Sequence, residues 1–155
     1  MADAVAQVAT ERRRQALSRR RRDDVWIAST ALIASMLSLP LAPNSLHGPE
    51  MSAVLAVSAT ALLAGQRWAV AVVVLAELLL LPTVWPRAFL TSSDFFARIG
   101  ALSALAALVP GVLAMRRAAA ALVVVSGWRR TQQVCRRVHM GLLFTLVVTA
   151  LLPVL

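Results

Sequence analysis

Uncharged, largely apolar runs separated by short charged clusters dominate this chain, and their lengths decide what they can form. A helix needs roughly 20 predominantly apolar residues to cross about 30 Å of hydrocarbon. Cutting the sequence at every charge leaves five candidates. Residues 25–49 hold the first, expected to end near Pro40 to Pro43, where two prolines break a helix and Asn44, Ser45, His47 and Gly48 make a polar loop. Asp23 and Asp24 suit the positive N-terminal end of such a helix. Residues 51–66 are the second, and at 16 residues this run must thin the bilayer or borrow its flanks.

The third run, residues 68–85, follows the second through Gly65-Gln66-Arg67, the tight connection of a helical hairpin. Residues 99–115 are the fourth, with Pro110-Gly111 in the interior, and residues 138–155 the fifth. Residues 118–128 are also apolar, but 11 residues cannot cross, which leaves an interfacial or re-entrant segment. The fold class predicted is an all-α integral membrane protein with about five transmembrane helices and a cytoplasmic interfacial amphipathic helix. Its organisation is an arginine-rich cytoplasmic arm over residues 1–24, a four-span bundle over 25–115, an amphipathic segment over 116–137 and a C-terminal helix over 138–155.

Charge fixes the expected orientation, because short cytoplasmic loops carry the excess of basic residues. On one side of the five spans lie Arg12, Arg13, Arg14, Arg19, Arg20, Arg21, Arg22, Arg67, Arg116, Arg117, Arg129, Arg130, Arg136 and Arg137; on the other lie Arg87 and Arg98. The N-terminus is therefore expected inside a bacterial inner membrane, and with five spans the C-terminus outside. Trp26, Trp68 and Trp128 then mark the inner interface, with Trp85, Phe89, Phe95 and Phe96 at the outer one. The basic start followed by an apolar run also resembles a signal peptide. The 24-residue preamble and the missing small-residue spacing around Pro40 to Asn44 favour an uncleaved anchor.

Composition agrees with this picture. Hydrophobic residues make up 59% and charged residues 15%, against roughly 45–50% and about 25% in soluble domains. The mean hydropathy is +0.75. Little chain is left for a soluble enzyme domain. A net charge of +9 raises the question of nucleic acid, but the basic residues lie in blocks beside apolar runs, which favours anionic lipid head groups as partners. All 16 basic residues are arginine, a bias that codon usage explains as readily as selection for guanidinium contacts. The single Cys135 has no internal disulfide partner.

Glu77 is the candidate for buried chemistry. It lies midway between Arg67 and Arg87, near the expected bilayer midplane. An acidic side chain at a helix centre costs about 2.5–3.5 kcal/mol on insertion scales and faces a bundle interior or a hydrated cavity, so a protonated, hydrogen-bonding carboxyl is the expected form there. Pro82 leaves the carbonyl of Leu78 without its helical donor. Ser58, Thr60, Ser103, Thr145 and Thr149 lie at depths from which a hydroxyl could serve. Glu77 is either a proton or cation site in a transport path or an interhelical hydrogen bond that holds helices or a larger complex together.

Two arginine-rich segments are the other candidates. Over residues 128–138, helical spacing puts Arg129, Arg130, Gln133, Arg136 and Arg137 on one arc and Trp128, Thr131, Val134, Cys135 and Val138 on the opposite one. This predicts an amphipathic helix on the cytoplasmic surface, either a topological anchor or a docking site for an acidic partner. The arm carries Arg19, Arg20, Arg21 and Arg22, with a weak apolar stripe at Val5, Val8, Ala9 and Ala16. It lacks the interleaved aromatics of a nucleic-acid binder, so contact with lipid or protein is expected.

Small residues recur at helix-packing spacing, at Ser52, Ala56, Thr60 and Ala64 and again at Ser103, Ala107 and Gly111. Asp94 and Arg98, four apart, read as a helix-surface pair. His47 and His139 fall on opposite sides, and no stretch carries a metal cluster, a nucleotide loop or a nucleophile with its base. No catalytic residue, cofactor or metal is expected. The functional expectation is a non-catalytic subunit or scaffold of a larger bacterial inner-membrane complex, with protein partners or further copies of itself. The alternative is a small proton- or cation-coupled transporter or channel subunit that uses Glu77.

Overall fold

In a computed structural model residues 2–41, 48–91 and 94–153 are described, and 89% of these residues are helical with no strand among them. Six α-helices follow one another among these residues: α1 (Ala2–Ser38), α2 (Gly48–Leu63), α3 (Ala69–Pro86), α4 (Phe95–Leu113), α5 (Met115–Val125) and α6 (Gln132–Leu151). Among the described residues four stretches are long and apolar enough to cross a membrane: Thr10–Leu41, Ala69–Leu90, Phe95–Leu113 and Gln132–Leu151. The short run expected at 51–66 falls on α2, which starts three residues earlier, ends at Leu63 and at 16 residues is below that length. The loop expected at Pro43, Asn44, Ser45 and His47 lies outside the described residues, as do the side chains of Val5, Val8 and Ala9.

The helices α1 to α4 form a ring in which α1 packs on α2 and α4, and α3 packs on α2 and α4. Apolar side chains gain little by leaving lipid for one another, so helices in a membrane associate where small residues let backbones approach. That is the chemistry of the buried faces: Ala28, Ala31, Ala34, Ser35 and Ser38 on α1, and Ala101, Ala104, Ala107 and Gly111 on α4. The stripes read from the sequence are buried only in part. Ser52, Ala107 and Gly111 lie on these faces, but Ala56 is half-buried and Thr60, Ala64 and Ser103 are exposed, while α2 also buries Leu55, Ser58, Ala59 and Leu62. In an alanine-rich chain small residues recur on every face, so spacing alone does not select the packed one.

Each connection has a local cause. α2 ends in a Schellman motif: Gly65 adopts φ +87°, its amide donates to the carbonyl of Leu62, and the amide of Gln66 donates to that of Ala61, both at 3.0 Å. The chain then reverses within a few residues into α3. Pro82 and Pro86 are accommodated inside α3, which widens into a π turn over Arg87–Thr91. Arg98 Nε of α4 donates to the carbonyl of Ala88 in that turn at 3.2 Å, while Asp94 caps α4 by accepting from the amide of Phe96 at 3.2 Å. The expected Asp94–Arg98 surface pair is replaced by these two tasks. At the same end Ser38 and Ser52 hydroxyls share a buried hydrogen bond of 2.8 Å that joins α1 to α2.

The arginine-rich end differs from expectation in three ways. The arm does not stop before the first span: α1 is continuous from Ala2 to Ser38. Asp24 therefore lies inside a helix rather than at its N-terminus, and its carboxylate pairs with Arg117 of α5. The amphipathic helix over 128–138 is divided. Gly127 at φ +70° ends the preceding turn, Trp128 to Thr131 are non-helical, and Thr131 caps α6 by accepting from the amide of Val134. Arg129 and Arg130 thus lie in a connection, and Arg136 and Arg137 in the first turns of α6. The short amphipathic helix is α5, which buries Met115, Ala118, Ala119 and Val123 against the bundle. Residues from its start and its end line one cavity with the α2–α3 turn, so α5 stays at that end.

α6 is the peripheral helix. It packs on α5 and α3, buries Leu142 and Thr149, and leaves Met140, Phe144, Val147 and Leu151 exposed. Its first turn depends on the Thr131 cap, and replacing such a cap by alanine costs about 0.5–2 kcal/mol. Thr131→Ala is expected to speed amide exchange of residues 132–135 by about fivefold, with little change in α1 to α4. Unchanged exchange in that turn would contradict the cap.

Candidate functional site

Glu77 is carried by α3 within the apolar stretch Ala69–Leu90, and only 1% of it is exposed. Val73, Val74, Leu78 and Leu80 are buried beside it on the same helix. Its carboxyl crosses to α4 and lies over Gly111, filling the space where the Cβ of any other residue would stand. Gly111 is therefore required here by close approach, not by backbone conformation. The preceding residue, Pro110, has no N–H and leaves the carbonyl of Ala106 without its helical donor. The Glu77 carboxyl thus meets α4 at the residue that follows Pro110.

Both carboxyl oxygens of Glu77 lack a hydrogen-bond partner among the described residues. Of the five hydroxyls expected to serve it, Ser103 is exposed and the other four are spent on their own helices. Ser58 donates to Leu55, Thr60 to Val57, Thr145 to Gly141, and Thr149 to Thr145 and Leu146, all at 2.8–3.0 Å. Serine and threonine inside helices have a carbonyl three or four residues back always within reach, which outcompetes a distant carboxyl. An unpaired buried polar group costs about 1–3 kcal/mol. The site therefore gains from a proton shared with a carbonyl, or from a small cation held by the carboxylate.

The arginines are distributed by helical geometry. Four successive residues on a helix point in directions about 100° apart, so Arg19 to Arg22 fan around α1. Arg20 lines a cavity with Arg67, Arg117 and Arg130. Arg22 faces a second one beside Trp26 and Leu113, and Arg19 a third with Arg12 and Asp23. Arg21, Arg129, Arg136 and Arg137 line none of these three. Of the sequence candidates the fold thus brings Arg20 and Arg130 together and leaves Arg136 and Arg137 on α6. Arg67 and Arg117 were missed as contact residues, being isolated or paired in sequence. Their neighbours, the hairpin signal Gly65-Gln66 and Asp24 on α1, were the available clues. Among the described residues no three of His, Cys, Asp and Glu converge as metal ligands.

The fold defines an all-helical protein with four candidate membrane-spanning helices, a buried carboxyl between two of them and an arginine-rich end. Comparison with protein-family models, with curated proteins and with solved structures finds no match.

The contact between Glu77 and Gly111 can be tested by a double-mutant cycle. Gly111→Ala overpacks it and is expected to cost about 1–3 kcal/mol. In the Glu77→Ala background the added methyl enters vacated space, so the double variant should be more stable than the sum of single losses by about 0.5–3 kcal/mol. Unfolding in mixed detergent, followed by tryptophan fluorescence, gives all four values. Strictly additive losses would contradict the contact.

Proposed function

We propose that the protein is a non-catalytic subunit or scaffold of a larger bacterial inner-membrane assembly, with its arginine-rich end on the cytoplasmic side. The observation that carries this reading is the convergence of arginines from α1, the α2–α3 turn, α5 and the α5–α6 connection on one end of the molecule. The excess of arginine there follows the rule for cytoplasmic faces. Exposed apolar side chains along α4 and α6, among them Ile99, Leu102, Phe144 and Val147, give the sides of the bundle surface suited to lipid or to further membrane helices. In this reading Glu77 is a packing element, sealed against Gly111, and no enzymatic step is assigned.

Purification in mild detergent followed by native mass spectrometry tests the reading. A complex of fixed stoichiometry, with another membrane protein or with further copies of this chain, is expected. A lone 16.6 kDa chain under the gentlest solubilisation would overturn it.

One observation favours a second reading, proton- or cation-coupled transport: the two unpartnered oxygens of Glu77 beside the Pro110 break. Flux into proteoliposomes separates the two. The subunit reading expects the same flux from the wild type and from Glu77→Gln, which keeps shape and removes the titrating group. Loss of flux in a folded Glu77→Gln protein would establish transport instead.

A further inference from the structure

Four arginines from four separate segments line one cavity: Arg20 of α1, Arg67 of the α2–α3 turn, Arg117 of α5 and Arg130 of the α5–α6 connection. Its volume is about 700 Å³, within the range of about 300–1,000 Å³ found for ligand sites. No carboxylate is among its lining residues. Asp24 pairs with Arg117 from outside that lining, which leaves most of the guanidinium charge uncompensated. Like charges gathered around one cavity repel, and an anion among them turns that repulsion into attraction.

The rest of the lining is largely apolar. Val70 of α3 and Ala121, Val124 and Val125 of α5 belong to it, with Ala121 and Val124 one and two turns along the same face of α5 as Arg117, and Trp68, half exposed, stands next to Arg67 in the chain. Basic groups and hydrocarbon lining one cavity match an amphiphile, not a small hydrophilic ion. Tryptophan beside the mouth fits the head-group level of a bilayer.

We infer that this cavity binds the phosphate head group of a net-anionic phospholipid, with its first acyl segment against Val70, Val124 and Val125. Guanidiniums engage phosphate oxygens through paired N–H donors, a geometry that an ammonium cannot reproduce. The choline group of a zwitterionic lipid would add a cation to a site already holding four. The inference rests on the orientation proposed above, which brings this end to head-group level, and not on assembly with partners. A lone monomer that keeps its lipid would overturn the subunit reading and leave this one standing.

The test uses the full chain in detergent, titrated with phosphatidylglycerol, phosphatidylcholine or inorganic phosphate and read by native mass spectrometry. One phosphatidylglycerol is expected to be retained in preference to phosphatidylcholine. Arg67→Ala with Arg130→Ala, both at exposed positions, should weaken its binding about thirtyfold, as expected for two basic groups near an anionic head group. Arg67→Lys with Arg130→Lys keeps the charge and should weaken it about fivefold. Arg136→Ala with Arg137→Ala, outside the cavity, should change it by less than about twofold. Equal weakening by the two alanine pairs would overturn the site in favour of diffuse surface charge. Equal binding of phosphatidylcholine, or displacement of the lipid by inorganic phosphate, would overturn the lipid as its ligand.

Discussion

An arginine at the centre of a membrane-spanning helix costs about 2.5–3.5 kcal/mol on insertion scales, and this chain carries 16 of them. Their confinement to positions outside the central apolar stretches is the constraint on which the remaining structure depends. It limits the apolar stretches to the distances between arginine clusters and forces the chain to reverse at Gly65. It also accounts for α5. With Arg116 and Arg117 in its first turn and Arg129 and Arg130 just beyond its end, an 11-residue helix stays at the basic end. There it packs its apolar face on the bundle and pairs Arg117 with Asp24. Arginines from segments far apart in sequence are thereby drawn to a common cavity.

Glu77 is the exception to that segregation of charge, and the bundle is built around it. A carboxyl on α3 needs room, and Gly111 on α4 provides it at a turn already relaxed by Pro110. The buried faces nearby are mostly small: Ala104 and Ala107 precede Gly111 on α4, and α1, which packs on α4, buries Ala28, Ala31 and Ala34. Close backbone approach and one bulky polar insertion thus define how α3 and α4 register against each other.

Much of this was legible in the sequence because charge and apolar run length are local properties. The helices over Ala69–Pro86 and Phe95–Leu113, the stop near Pro40 and the hairpin at Gly65 followed directly from them. The continuity of α1 through residue 24 was not, because a change in composition is not a helix stop and nothing between Arg22 and Val25 breaks a helix. The amphipathic pattern over residues 128–138 was real, but periodicity could not register that Thr131 caps a helix in the middle of it. For the site, the depth of Glu77 was readable and its partner was not. Gly111 lies 34 residues away, and the hydroxyls of Ser58, Thr60, Thr145 and Thr149 satisfy carbonyls of their own helices. Arg67 and Arg117 gain significance from tertiary structure alone.

α5 lies at the arginine-rich end, which puts the α2–α3 turn and the α5–α6 connection at the same end of the bundle. Labelling by a membrane-impermeant maleimide tests this most directly, using single cysteines at Gln66, Ser126 and Asp94 in a Cys135→Ser background. The account predicts that Gln66→Cys and Ser126→Cys react from the same side and Asp94→Cys from the other. Reaction of Gln66→Cys and Ser126→Cys from opposite sides would make α5 a crossing segment and contradict the account.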